Sequence, residues 1–274
     1  MSKDTRVHLN RRGGRLSWMF VTLTAVCVFT GAAACGASAD SPTLADASAA
    51  EDGGELILTP HDPGAAPRTL TLEDWRNWAR ERLDDALGEP VRIGEFTQGP
   101  DEFGWIATAA LDPAGRRVAF PVSAYAVATT ASLVHVLDAE TMDIAVVPEP
   151  IYGDIAEMRW APRGGFVAYA AGTARAAGEY LRVDDTDEMT RAFVLNGADI
   201  GRALEEERGE GETGLGGPDP SEFLPHFRDV SWENDGDWLE FTTNKRSPDH
   251  RPVEERETAS WRVRPDGTGL ERTG

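Results

Sequence analysis

Cysteine is almost missing from this chain. Of 274 residues only Cys27 and Cys35 carry a thiol, and the 239 residues after Cys35 have none. A disulfide framework is therefore excluded for everything downstream, and the folded part must be stabilised by its own core. Lysine is nearly as scarce, with Lys3 and Lys245 alone. Positive charge is also short overall, at 27 Lys and Arg against 47 Asp and Glu, for a formal net charge of −20. The first 34 residues carry five positive charges and one negative, so the part from Cys35 onward stands at −24. Such an excess excludes a nucleic-acid-binding face and argues against adhesion to anionic lipid headgroups. Catalytic signatures are missing too: the sequence holds no Gly-x-Ser-x-Gly, His-Glu-x-x-His or Cys-x-x-Cys. Its five histidines (His8, His61, His135, His226, His250) fall at no metal-ligand spacing.

What is present begins at the N-terminus. Lys3, Arg6, Arg11, Arg12 and Arg15 precede a 19-residue uncharged run, Leu16 to Ala34, rich in Trp, Phe, Val and Leu. A basic start, an apolar segment and then small residues form the pattern of an export signal over residues 1–34. The segment Ala32-Ala33-Ala34-Cys35-Gly36 resembles the lipobox of bacterial lipoproteins. That resemblance implies acylation of Cys35, which becomes the new N-terminus and the lipid-bearing residue. Ala-x-Ala is also the pattern of an ordinary signal-peptidase site, and about 17–25 apolar residues suffice to span a bilayer. Release and an uncleaved transmembrane anchor thus stand beside lipidation. With a lipid or an uncleaved helix the membrane is a partner through the N-terminus, at the outer or plasma membrane of a cell envelope.

Residues 35–54 are chiefly Ala, Ser, Asp, Gly and Pro with one Leu, a composition expected to form a flexible tether. Residues 55–104 read as strand, helix and strand. Strands are expected at Glu55–Thr59 and Val91–Thr97. The helix runs from Thr71, a capping residue, to the Gly88 and Pro90 stop, with Leu72, Trp75, Trp78 or Ala79, Leu83, Ala86 and Leu87 on one face. That face is expected to pack on the parent domain, at an open blade edge.

Residues 105–274 hold a repeat. Leu111-Asp-Pro-Ala-Gly115-Arg-Arg-Val118-Ala-Phe120 aligns without gaps to Trp160-Ala-Pro-Arg-Gly164-Gly-Phe-Val167-Ala-Tyr169 and to Trp232-Glu-Asn-Asp-Gly236-Asp-Trp-Leu239-Glu-Phe241. A large apolar residue is followed at +4 by Gly, at +7 by Val or Leu and at +9 by an aromatic. Physically this is a strand, a tight turn needing glycine, and a second strand with +7 and +9 on one face. Downstream, Leu133–Ile144, Ala192–Ile200 and Trp261–Leu270 each read as a third strand, a polar turn and a fourth. Four antiparallel strands repeated in this way make a β-propeller blade. The segments resemble the repeats of TolB-like, WD40-like proteins, which implies a mainly β, partial or small β-propeller-like domain of about three blades. A β-sandwich of the same hairpins is the alternative. Trp160, Trp232, Val118, Val167 and Leu239 are the expected core.

Spacing between motifs grows from 49 to 72 residues, and the excess near 203–222 has the composition of a disordered insertion. Within it, Gly209-Glu-Gly211-Glu-Thr-Gly214 matches a dinucleotide fingerprint as a string, but follows a charged segment rather than a strand. Asp184, Asp185, Asp187 and Glu188, with Asp235 and Asp237, form acidic turns without EF-hand spacing and are expected to be solvated. No catalytic, cofactor-binding or metal-ligating set emerges. The expected role is a non-enzymatic, lipid-anchored module that meets an envelope protein, with a ligand-binding or enzymatic propeller (sugar, peptide or calcium) as alternative.

Overall fold

A computed structural model describes residues 43–87, 92–93, 96–97, 99–126, 129–173, 176–208, 226–244 and 258–274. The expected export signal, Cys35 and residues 209–225 with the Gly209–Gly214 string lie outside the described residues. All described residues belong to one compact unit, Asp40–Gly274.

A three-stranded antiparallel sheet comes first, β1 (Leu44–Ala49), β2 (Glu55–Pro60) and β3 (Arg68–Thr71). Its first strand corrects the expectation of a tether over residues 35–54, since Leu44–Ala49 is paired strand. The Ala- and Ser-rich composition hid a strand whose backbone pairs with β2 and whose Leu44 and Ala47 reach the core. Helix α1 (Leu72–Leu87) follows directly. Thr71 Oγ1 accepts the Asp74 amide at 3.1 Å, while the Asp74 carboxylate accepts the Thr71 amide at 3.0 Å, closing both ends of a capping box. Leu72, Trp75, Ala79 and Leu83 are buried, Trp78 is half-buried, and Ala86 is exposed, so the buried stripe stops short of the expected one. Two short strands, β4 (Arg92–Ile93) and β5 (Phe96–Thr97), pair with each other.

Three antiparallel sheets then follow in chain order. The first has β6 (Phe103–Ile106), β7 (Ala110–Leu111), β8 (Arg117–Ala126), β9 (Thr129–Asp138), β10 (Ile144–Val146) and β11 (Ile151–Tyr152). It is a four-strand meander whose inner strand is split into β6 and β7 and whose outer strand is split into β10 and β11. Pro148 and Pro150 sit in the outer break, where a residue without an amide N–H fits an interrupted ladder. The second sheet is β12 (Asp154–Trp160), β13 (Phe166–Thr173), β14 (Ala176–Asp185) and β15 (Thr190–Asn196). Helix α2 (Gly197–Arg208) leaves its last strand. The third sheet is β16 (His226–Trp232), β17 (Leu239–Asn244), β18 (Thr258–Val263) and β19 (Glu271–Arg272). Each meander is local in sequence, so these are blades, and the sandwich alternative is set aside.

The three motifs share one register. Leu111 pairs with Val118, Trp160 with Val167 and Trp232 with Leu239, position 0 against +7 each time. The +4 amides of Gly115, Gly164 and Gly236 donate to the +1 carbonyls of Asp112, Ala161 and Glu233 at 2.9, 2.8 and 2.9 Å. All three glycines have φ near +70° (67°, 74° and 74°), the left-handed region that such a turn demands.

Packing follows the same alternation. Val118 and Phe120 face a cluster with Leu56, Leu58, Trp75 and Leu83, so the first blade is covered by α1 and the N-terminal sheet. Val167 and Tyr169 face Ala119, Val134 and Val136 of the first blade. Leu239 and Phe241 face Ala168, Leu181 and Val183 of the second. Every +7/+9 face thus packs on the sheet before it, and α1 lies on a blade face rather than on the edge expected from sequence. The +8 residue looks the other way. Ala119 and Ala168 are fully buried against the next blade, whereas Glu240 of the third is exposed.

Within the insertion, Gly197–Arg208 is helical rather than disordered, which moves the start of the expected disordered stretch past 203. Asn196 caps it, its Oδ1 accepting the Ala198 amide at 2.8 Å, and Ile200 is buried among residues of the second and third blades.

Candidate functional site

Polar side chains, several of them at the surface, tie one sheet to the next. Trp160 Nε1 donates to the Ala110 carbonyl at 2.7 Å and Trp232 Nε1 to the Arg159 carbonyl at 3.1 Å. Arg117 lies over the Trp160 ring at 5.0 Å and reaches Asp187 of the second blade at 2.7 Å. Arg163 pairs with Asp237 of the third at 3.1 Å. Glu157 Oε2 accepts the Val230 amide at 3.0 Å, linking β12 to β16.

A second group lies inside the second blade. Tyr169 donates its phenolic proton to Asp184 Oδ2 at 2.5 Å, and Arg182 Nε donates to Asp184 Oδ1 at 2.6 Å. Arg182 Nη1 also reaches the Glu149 carbonyl at 3.2 Å, which fastens the crossover from the first blade. Asp184 is fully buried and Arg182 nearly so. Burial pushes the Asp184 carboxyl up despite the opposing charge of Arg182. Burial and then the Asp184 charge push the Tyr169 phenol well up, so it keeps its proton as donor. This corrects the reading of Asp184 as a solvated turn residue. A strand register that faces it inward beside Tyr169 and Arg182 cannot be read from local composition.

The other acidic residues do hold turns. Asp138 Oδ1 accepts the Glu140 and Thr141 amides, and Asp185 Oδ1 accepts those of Asp187 and Glu188, all at 2.9 Å. Asp235 does the same for Asp237 at 3.0 Å. Among the described residues no group of three or more His, Cys, Asp or Glu is placed to hold a metal ion.

His135, on β9 as expected, is fully buried opposite Phe120. Its ring stacks on Phe120 at 5.3 Å and meets Trp75 and Trp78 edge-on at 5.5 and 5.7 Å. Nε2 accepts the Trp75 indole proton at 3.1 Å, so the neutral ring carries its own proton on Nδ1. Burial pushes its pKa down to about 3.

Of the sequence-predicted motif residues, Val118, Phe120, Trp160, Val167, Tyr169, Leu239 and Phe241 are buried, and Leu111 and Trp232 are half-buried at the rims of their clusters. They are brought together as inter-blade contacts and not as a cleft. Sequence reasoning did not single out the exposed aromatics. Tyr125 is 77% exposed at the far end of β8, and its ring lies 4.5 Å from that of half-buried Trp105 on β6. Tyr152, at the end of β11, is 47% exposed. The bulge between Phe103 and Trp105 brings Trp105 opposite Ser123, two residues before Tyr125 on the same strand face. An aromatic two positions past an apolar strand core was the available signal.

No family model matches the sequence, and no curated protein matches it. Among solved structures, the chain is similar to the β-propeller domain of the trilobed protease from Pyrococcus furiosus (10% identity, 63% of this chain and 43% of that one, TM-score 0.36). It is also similar to an oligogalacturonate lyase from Vibrio parahaemolyticus (9% identity, 82% and 50%, TM-score 0.41) and to a prolyl endopeptidase (12%, 85% and 29%, TM-score 0.39). The chain spans half or less of the length of these three. At such scores the fold rests on the strand register above: successive four-stranded meanders stacked face to face make this a mainly β, partial propeller of three described blades.

Proposed function

We propose that this chain is a lipid-anchored, extracytoplasmic interaction module of a bacterial cell envelope, held at the membrane through Cys35 and meeting a protein partner without catalysing a reaction. The observation that carries the interaction reading is the Trp105–Tyr125 pair. A tyrosine left 77% exposed beside a tryptophan, both on paired strands, is a preformed aromatic contact of the kind enriched at protein interfaces. The anchoring part rests on the sequence pattern from Lys3 to Gly36.

Two measurements test the two parts. Cys35→Ser moves the protein from detergent-soluble membranes to the aqueous fraction or stalls it as precursor; an intact mass showing an unmodified N-terminus downstream of Cys35 rejects lipidation. A photo-crosslinking residue at Tyr125 gives one discrete envelope-protein adduct in intact cells, which the same residue at Val194 or Glu240 does not give. Equal labelling at all three positions rejects the interface.

A further inference from the structure

Helix α1 occupies the place that a preceding sheet holds over the second and third blades. It covers the face of Val118, Phe120, Val122 and Leu133 with Leu72, Trp75, Ala79 and Leu83. Its buried polar tie to that face is one hydrogen bond, from Trp75 Nε1 to His135 Nε2 at 3.1 Å. The other side-chain ties of α1 lie nearer solvent: Arg76 Nη2 to the Phe103 carbonyl at 2.8 Å and Arg80 to Asp101 at 2.5 Å.

The geometry points to α1 as an acid-released cap, in which protonation of His135 breaks its hold on Trp75 and frees the helix from the first blade. An imidazolium has a proton on both nitrogens. Nε2 would then present a donor to the Trp75 donor, turning the tie into a repulsion. Among the described residues no counter-charge faces the ring to offset it. From α1 the half-buried charged side chain is Arg76, itself cationic and bound to Phe103. From β3 it is Arg68, bound to the Ala139 carbonyl. The neighbours from β8, β9 and β10 are Phe120, Leu133, Leu137 and Val146, none of which ionises. The flanking rings of Trp75, Trp78 and Phe120 keep water away from the imidazole.

The sign follows from linkage. With the helix docked, the ring resists a proton until the pH nears about 3, while a solvated ring takes one near 6.5. Between those limits each unit of acidification favours the undocked helix about tenfold, and above 6.5 the effect vanishes. At pH 4.5 the undocked population is therefore about 100 times that at neutral pH.

Hydrogen exchange on the full-length protein in detergent, corrected for intrinsic exchange rates, reads this directly. Amide protection in residues 72–87 falls about 100-fold between pH 7 and 4.5, while protection in β13 and β14 holds. His135→Gln keeps an acceptor for Trp75 but cannot take a proton, and it flattens the pH dependence of α1. Loss of protection in α1 and the blades together at one pH, or an undiminished slope in His135→Gln, overturns the inference. If His135→Gln fails to fold, the wild-type comparison of α1 against β13 and β14 still decides.

Discussion

Trp160 of the second blade donates its indole proton to the carbonyl of Ala110 in the first, at 2.7 Å, and Trp232 repeats the bond one blade later to Arg159 at 3.1 Å. Both tryptophans stand at position 0 of the motif, and both acceptors stand at position −1 of the motif before. The first blade, covered by α1 and the N-terminal sheet and not by another blade, has Leu111 at position 0. A tryptophan there marks a blade that has a neighbour to bond.

Trp160→Phe keeps a ring in the site and removes the donor. It leaves the Ala110 carbonyl without that bond and gives Arg117 a smaller ring to lie over, for an expected loss of about 1–3 kcal/mol. Trp232→Phe costs less, because Trp232 is half-buried and water can reach its site. Denaturant titrations of the two variants check the order, and equal losses would argue against the stitching role.

Gly115 and Gly164 share a positive φ but differ in their surroundings. A Cβ on Gly115 would lie 2.6 Å from the Leu44 carbonyl oxygen, whereas on Gly164 it meets an Arg117 side-chain nitrogen at 3.4 Å. Gly164→Ala is expected to cost about 1 kcal/mol for backbone strain alone. Gly115→Ala also pushes β1 away, breaking the 2.7 Å bond from the Leu44 amide to the Gly115 carbonyl. It should lose more stability and expose the β1 amides to exchange. Similar losses in the two variants would show that β1 is not seated on that turn.

These glycines also show how much of the fold was legible. The turn is local: Gly at +4 and the alternation after it follow from the chemistry of ten consecutive residues, and so does the Thr71–Asp74 cap of α1. Non-local relations were not legible. Nothing in Leu44–Ala49 announces a strand until β2 is beside it, and Asp184 looks like its solvated neighbours until Tyr169 and Arg182 face it. The exposed Trp105–Tyr125 pair depends on a bulge, which shifts side chains without a composition signal.

The buried Tyr169–Asp184–Arg182 group makes a second kind of prediction. Asp184→Ala leaves the Arg182 guanidinium buried without its partner, at a cost of about 3–5 kcal/mol. Replacing both by Leu removes the unpaired charge, so the double variant should be less damaged than Asp184→Ala. A double-variant loss equal to the sum of the single ones would mean that the two residues do not act as a pair. Thermal melts at neutral pH suffice for the comparison.

The +8 position separates the third blade from the other two. Ala119 and Ala168 are fully buried where the next sheet closes on them, at the spacing of about 10 Å typical of stacked sheets. Glu240 stands at the same place on an exposed face whose other groups are Thr242, Ser260, Arg262 and Glu271, with Arg262 4.5 Å over the Trp238 ring. Glu240→Ala should therefore change stability by less than about 0.5 kcal/mol, as exposed substitutions do. Ala168→Glu is the opposite experiment. It forces a carboxylate between the second and third blades beside Leu239 and Phe241, and the penalty of several kcal/mol is a large part of the roughly 5–15 kcal/mol that holds a domain together. Its loss should grow as the pH rises through the carboxylate range, because only the charged form bears the full desolvation cost. Denaturation of both variants at pH 4.5 and pH 7 measures this. If Ala168→Glu were tolerated at pH 7, or if Glu240→Ala were equally harmful, the stacking order of the blades deduced from the +7, +8 and +9 positions would be wrong.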